Sequence, residues 1–128
     1  MGGDGYEILA TSFGTRAIVG DVRGHGTPSV RLAALVLGAF RALAYLEQDL
    51  AVVARHLDLL VGRYAGGVNE SDVDDEEFVT AVLCQVNGLA LSVANCGHPA
   101  PLLMRPGGPS RLLVPSVPSR PLGLGVTR

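Results

Sequence analysis

Two aspartates near the N-terminus are the residues whose type and spacing best suit a chemical role. Asp21 follows a short apolar run and opens a glycine-rich loop, 20–26, in which Gly24 and Gly26 let backbone and ligand approach closely. Asp4 precedes the run that would pair with it. Two clustered carboxylates, with backbone carbonyls and water, form a hard-oxygen site suited to Mg²⁺ or Mn²⁺. An aspartate beside a glycine is also common in simple turns, so spacing alone leaves both interpretations open.

The three histidines give weaker signals. His56 falls on the polar face of a predicted helix, where a solvated side chain is expected. His25 lies in the glycine-rich loop and could approach a ligand, whereas the setting of His98 is more typical of a side chain bonded to a turn than of a metal ligand. The chain contains no His-x-x-x-His, Cys-x-x-Cys or Gly-x-Ser-x-Gly motif, and the absence of lysine excludes a Walker A phosphate loop.

The composition is that of one folded domain with little charge. The 128 residues fit a single domain, and a 48% hydrophobic, 17% charged composition excludes a disordered chain. A net charge of −2 gives no basic footprint for nucleic acid. Cys84 and Cys96 lack metal-type spacing and are expected to be free thiols in a reducing compartment. The uncharged stretch 78–104 contains residues that break a membrane span, so we expect a soluble, cytoplasmic protein.

Acidic residues are unevenly distributed along the chain. All 12 precede Phe78, and six of them lie in 70–77, which we interpret as a solvated connection. From residue 78 to the end, the only charged side chains are four arginines. A metal site that drew ligands from this second part would therefore lack carboxylates.

Apolar patterning predicts a hairpin followed by two helices. Runs at 6–13 and 16–22 flank Gly14, and in a hairpin turning there, positions whose numbers add up to about 28 face each other. Asp4 and Asp21 would then lie near one end of the same ladder. An almost uniformly apolar run at 30–45 predicts a buried helix with Thr27 as its N-cap and Pro28 in its first turn.

The rest of the chain predicts one more helix and four strands. Apolar residues at helical spacing over 50–64 follow Asp49, which suits a helix start, and Gly66-Gly67 suits its end. Strands at 78–86 and 89–96 flank Asn87-Gly88, the signature of a type I′ turn. Short strands at 102–105 and 111–114 follow. Strands at both ends around a helical pair indicate an α+β fold with antiparallel pairing.

Five segments, taken in order, resemble signatures of the SpoIIE/RsbU branch of PPM-type, metal-dependent serine/threonine phosphatases. Residues 2–7, Gly-Gly-Asp-Gly-Tyr-Glu, are similar to the opening motif Gly-Gly-Asp-x-Tyr-Asp, and 20–26 to Gly-Asp-Val-Ser-Gly-His/Lys-Gly. Residues 78–81, 95–101 and 121–124 resemble three further signatures, the last being Leu-Pro-Leu-Gly. One such motif would be a weak signal, but the ordered set covers nearly the whole chain.

The resemblance implies an α-β-β-α sandwich of antiparallel sheets flanked by helices. It also implies a binuclear Mn²⁺ or Mg²⁺ site with Asp4, Asp21 and the Val22 carbonyl as ligands, and makes Asp21 a catalytic residue. Two metal ions activate a water for in-line attack on phosphorus and neutralise the phosphoryl oxygens. The implied substrate is a phosphoserine or phosphothreonine on a STAS-type anti-anti-sigma factor.

Departures from the family pattern suggest an alternative function. Glu7 replaces the second acid of the opening motif, and Arg23 stands where serine is common. Family members continue to an Asp-Gly motif that supplies a further ligand, so we expect 1–128 to be a single phosphatase domain lacking the C-terminal segment. The alternative is a non-catalytic, phosphatase-like binding module in the same pathway. An incomplete sandwich would expose a sheet edge and favour a homodimer.

Overall fold

The computed structural model describes residues 3–23, 26–66, 79–116 and 118–123. Their secondary structure confirms the predicted order of two strands, two helices and four strands. The elements are β1 (Gly3–Thr11), β2 (Gly14–Val22), α1 (Thr27–Leu46), α2 (Leu50–Gly66), β3 (Val79–Asn87), β4 (Ala90–Cys96), β5 (Leu102–Leu103) and β6 (Arg111–Leu112). The acidic stretch 70–77, Gly24, His25 and Phe78 lie outside the described residues.

The strands form antiparallel sheets, as predicted. β1, β2, β3 and β4 are neighbours in that order in one four-stranded sheet, and β5 pairs with β6 in a small second sheet. α1 packs on β1 and β2, while α2 packs on β3 and β4. The α+β class and its helix-covered antiparallel sheet are therefore confirmed. Within the described residues, the structure has two helices on one face of the large sheet and a separate two-stranded β5–β6 sheet.

The first hairpin turns one to two residues earlier than predicted. Strand partners in β1 and β2 have numbers that add up to 25, because the connection is Ser12-Phe13. Thr11 holds this turn: its hydroxyl donates to the Gly14 carbonyl at 2.8 Å and accepts from the Phe13 amide at 3.1 Å. Gly14 then enters β2 with a φ of 111°, which favours glycine. The consequence is that Asp4 and Asp21 are direct cross-strand partners.

α1 corrects two predictions. Its N-cap is Gly26, at φ 80°, and not Thr27, which is the first helical residue. Only one stripe of the helix is buried, because the sheet covers one side alone; Val30 and Leu46 are 53% and 80% exposed. The buried residues are Ser29, Leu32, Val36, Phe40 and Ala44. By length and composition α1 could also cross a membrane, a property that it shares with the core helices of soluble proteins.

The second predicted turn is shifted by one residue. The pairing of Asn87 with Ala90 leaves Gly88-Leu89 as the two-residue connection between β3 and β4. Gly88 has a φ of 60°, and no residue other than glycine has a positive φ among those described. A positive φ at the first central position alone defines a type II′ turn, so the type I′ prediction is wrong.

α2 begins as predicted. The Asp49 carboxylate accepts a hydrogen bond from the Ala51 amide at 2.9 Å, and this satisfies one of the free donors of the first turn. The helix extends to Gly66. Both cysteines are free thiols, as expected: Cys96 is buried, and burial raises its pKa to about 11.

The two faces of the large sheet have different environments. The face under the helices forms the core, centred on Ile18, Phe40, Leu57 and Leu83. The opposite face carries Asp4, Tyr6 and Ile8 of β1 beside their partners in β2. Tyr6 and Ile8 are 71% and 63% exposed. We call this surface the open face.

Among the described residues, the largest fully buried side chain is a charged one. Arg16 of β2 is 0% exposed, beneath the end of α1. Its guanidinium donates to the backbone carbonyls of Ala44, Glu47 and Gln48, and its Nε to the Gln85 side chain at 2.8 Å. α1 has no basic residue in its own last turn, so Arg16 supplies the positive charge that its C-terminus lacks.

Candidate active site

Asp4 and Asp21 meet where the first hairpin opens, at the end opposite its turn. They are direct partners in the antiparallel register, so their side chains lie on the same face of the sheet. That face is the open face. Glu7 lies three residues from Asp4 and therefore points to the helix side, where it pairs with Arg41 at 2.8 Å. The second acid of the opening motif thus stands apart from the two aspartates.

The two carboxyl groups interact directly. A hydrogen bond with the Asp4 carboxyl raises the pKa of Asp21, and partial desolvation and the negative charge of Asp4 act in the same direction. The nearby His98 opposes this rise. Adjacent carboxylates repel each other when both are ionised, and either a shared proton or a bound cation relieves that repulsion.

The aspartate pair borders a cavity of about 460 Å³. Asp4, Asp21 and His98 line it together with adjoining parts of β1 and β2. A larger cleft of about 540 Å³ lies between β4 and the β5–β6 hairpin, but its walls are apolar residues, Asn95 and two arginines. We place the candidate site in the smaller cavity, because interacting titratable groups converge there.

His98 is the member of this cavity that sequence reasoning missed. The expected bond from its side chain to a turn is not what the structure shows: only its backbone N–H is bonded locally, to the Asn95 Oδ1 at 2.8 Å. Its ring is also bonded, with Nδ1 3.1 Å from the Thr80 Oγ1. Thr80 is the β3 partner of Asp21, so this contact brings the ring beside the aspartates. The sequence could have predicted this contact only if the pairing register of the strands had been known, because His98 and Asp21 are far apart along the chain.

Gly97 holds the segment that carries His98. Its φ is 71°, and a Cβ at this position would lie 2.6 Å from the Pro121 ring. Bridges of Gly97 to Ala81 and of Cys96 to Ser119 fix the same segment on both sides. The close approach of Pro121 explains why glycine is needed here.

Replacing Gly97 with alanine should destabilise the fold and displace His98. Gly107 has the same φ of 71° but open space around it, so Gly107→Ala carries the backbone strain without the clash. We expect Gly107→Ala to cost about 1 kcal/mol and Gly97→Ala about 1–3 kcal/mol more, from overpacking. Urea unfolding of both variants measures the difference. Equal losses would show that Pro121 yields to the extra methyl group.

The other predicted residues have less defined positions. Val22 follows Asp21, and its side chain is buried in the core; its carbonyl as a metal ligand stays a prediction. Arg23, two residues after Asp21, is exposed, and His25 lies outside the described residues. The assignments of Asp4 and Asp21 as metal ligands, and of Asp21 as catalytic, also stay predictions.

The oxygen donors of the site are of the type that a hard divalent cation prefers. Mg²⁺ is commonly held by one or two carboxylates, with water completing its coordination, and Asp4 with Asp21 supplies such a pair. Among residues 3–23, 26–66, 79–116 and 118–123, no group of three or more His, Cys, Asp or Glu side chains could hold a metal. The described part of the chain therefore offers a two-carboxylate site, which leaves most coordination positions to other oxygens.

A solved structure shares this fold. The chain resembles the crystal structure of the RsbU and RsbW domains of Rv1364c from Mycobacterium tuberculosis, with a TM-score of 0.79 and 23% sequence identity. The match covers 98% of this chain and 33% of that one, so this chain spans about a third of the length of its structural relative. No curated protein matches this chain.

The sequence itself decides the family. The family model described as Stage II sporulation protein E (SpoIIE) matches residues 11–127. The chain therefore belongs to the SpoIIE family, and the branch predicted from the five ordered motifs is confirmed.

Proposed function

We propose that this chain is a metal-dependent protein serine/threonine phosphatase domain. The observation that carries the proposal is the direct pairing of Asp4 with Asp21 in a cavity on the open face. Membership of the SpoIIE family supports it. A pair of interacting carboxylates on rigid neighbouring strands is suited to hold a divalent cation at a fixed position.

Each part of the cavity has a role in this mechanism. Asp4 and Asp21 would hold the cation, which would supply the Lewis acidity that activates water and neutralises a phosphoryl group. The Val22 carbonyl, next along β2, would add a further oxygen donor. Because the aspartates belong to two paired strands, their separation is fixed by the ladder. Tyr6 and Val19 line the same cavity and add apolar surface beside the aspartates.

The proposed substrate is a phosphorylated anti-anti-sigma factor of the STAS type. This assignment extends the sequence resemblance, and the RsbU and RsbW domains of the structural relative support a place in sigma-factor regulation. We propose a cytoplasmic location with it. Mn²⁺ and Mg²⁺ are both compatible with a hard carboxylate pair, so the choice between them is part of the test. The homodimer stays a prediction.

Hydrolysis that depends on a divalent metal is the expected result. We expect phosphate release from a phosphoserine peptide or an aryl phosphate to need Mn²⁺ or Mg²⁺ and to stop in excess chelator. The attacking water must lose a proton, and a bound metal ion lowers the pKa of that water. A malachite-green assay measures the release. A rate that chelator leaves unchanged would contradict the proposal.

The second candidate is a non-catalytic binding module. The observation that favours it is the small donor set: among the described residues, the site brings together only the carboxylates of Asp4 and Asp21. Calorimetric titration with Mn²⁺ separates the two candidates, because the phosphatase requires saturable binding that Asp4 and Asp21 account for. Absence of binding at millimolar metal would favour the module.

A further inference from the structure

Among the described residues, the ring of His98 has a hydrogen-bond partner at only one of its two nitrogens. Nδ1 is 3.1 Å from the Thr80 Oγ1, whereas that hydroxyl is 3.4 Å from the Asp21 carbonyl oxygen. The hydroxyl has one proton. If Thr80 donates it to Nδ1, across the shorter contact, the proton of the neutral ring is on Nε2; if Thr80 donates it to the Asp21 carbonyl, the ring donates from Nδ1. The proposal takes the first arrangement, and its test measures the tautomer. Among the described residues, Nε2 has no hydrogen-bond partner, and the ring borders the aspartate cavity.

We propose that His98 is a substrate-binding residue of this site, which donates its Nε2–H to a phosphoryl oxygen. The proposal rests on the phosphatase function and names a contact that the metal ligands cannot make. Two carboxylates repel a phosphate dianion, and a bound cation offsets that repulsion without orienting the oxygens. A fixed N–H donor adds direction, since a hydrogen bond to a charged acceptor is short and strongly oriented.

The frame around His98 is rigid enough for this role. The Asn95 side chain holds the His98 backbone, and Thr80 holds its ring. Gly97 is packed against Pro121. Isolated β-bridges join Gly97 to Ala81 and Cys96 to Ser119. A donor held at several points loses little further freedom when substrate binds, which is how a positioned group contributes to affinity.

The test observes the ring nitrogens directly. The full chain, labelled with ¹⁵N-histidine and saturated with Mg²⁺, is titrated with inorganic phosphate and followed by long-range ¹H–¹⁵N correlation. We expect the Nε2–H tautomer in the free protein and a shift of the His98 Nε2 signal on phosphate binding. The Nδ1–H tautomer, or a His98 signal that phosphate does not move, would overturn the proposal.

Variants at His98 measure the contact. His98→Leu should weaken phosphate binding roughly tenfold or more, because a hydrogen bond to a charged group is lost. His98→Gln, whose amide can present a donor near the Nε2 position, should recover part of the loss. Thr80→Val should keep the ring but mix its tautomers and weaken binding less than His98→Leu. Equal affinity of wild type and His98→Leu would contradict the proposal.

Controls separate this inference from the phosphatase function. His56→Leu changes an exposed histidine on α2 and should leave phosphate affinity unchanged. If substrate is hydrolysed but His98→Leu alters neither KM nor phosphate affinity, the inference fails and the function stands. If no substrate is hydrolysed but phosphate moves the His98 signal and binds less well to His98→Leu, the function fails and the binding contact stands.

Discussion

Arg16→Met should lower the free energy of unfolding by about 3 kcal/mol, with a fall in Tm of roughly 10 °C. The change keeps a long apolar stem but removes every hydrogen bond of the guanidinium. The carbonyls of Ala44, Glu47 and Gln48 would then lose their donor. Such unsatisfied groups cost about 1–3 kcal/mol each when buried, and less where water can reach them.

The effect is large because Arg16 joins three elements. It extends from β2 to the end of α1, while its Nε bonds Gln85 of β3, its direct cross-strand partner. The Phe13 ring lies 4.7 Å from the guanidinium carbon and adds a cation–π contact. Burial lowers the pKa of Arg16, and Glu47 and Asp49 oppose this, but an arginine stays protonated at neutral pH.

Two further variants identify the source of the loss. Arg16→Lys keeps the charge but lacks the planar fork that reaches several carbonyls, so we expect a loss nearly as large as that of Arg16→Met. Arg31→Met is the control, because Arg31 is exposed on α1 and should change stability by less than about 0.5 kcal/mol. Guanidinium unfolding checks all three. Similar stability of Arg16→Met and Arg31→Met would show that the buried cation is not essential.

Local patterns were enough to predict most elements and the proximity of Asp4 and Asp21 at one end of the first hairpin. The spacing of apolar residues predicted α2, and Asp49 at its start bonds the helix as expected. Both hairpins were predicted, but each turn was misplaced by one or two residues. The position of a turn depends on which residues the two strands can pair without strain. A glycine in the sequence shows only that a turn is nearby, and not which two residues form it.

Long-range contacts were the part that the sequence could not predict. Arg16 caps the end of α1 at Ala44, 28 residues further along the chain, so rules for local helix caps could not predict this contact. His98 reaches the aspartates only because β2, β3 and β4 align Asp21, Thr80 and the end of β4. The apolar run of α1 predicted full burial, yet the helix has the sheet on one side only. Each of these depends on topology and not on neighbouring residues.

Asp21→Asn should abolish metal-dependent hydrolysis. Loss of groups that merely orient a metal ligand costs about 10–100-fold in affinity or activity, so loss of a ligand should cost roughly a hundredfold or more. Asp4→Asn should have a similar effect, because the two carboxylates act as one cation site. Glu7→Gln makes the same charge change on the same hairpin but on the helix face, and it should keep activity. Initial rates at saturating Mn²⁺ measure all three, and full activity of Asp21→Asn would contradict the assigned role.

The same substitution should stabilise the protein when no metal is present. The Asp4 carboxyl raises the pKa of Asp21, so the folded state binds the proton more tightly than the unfolded state. The stability due to this proton is complete below the unfolded pKa and is lost as pH rises through the folded pKa. At neutral pH in chelator, Asp21→Asn relieves the repulsion and should gain about 0.2–1 kcal/mol, typical of an exposed cross-strand pair.

Metal should reverse the order of stability. Saturating Mn²⁺ stabilises the wild type by binding its folded state alone, and Asp21→Asn lacks that gain. Thermal unfolding should therefore give Asp21→Asn the higher Tm in chelator and the wild type the higher Tm in Mn²⁺. A structural aspartate would lower Tm in both conditions when replaced, and a merely solvated one would change neither. The reversal distinguishes a cation site from both, and it does so even if this chain hydrolyses nothing.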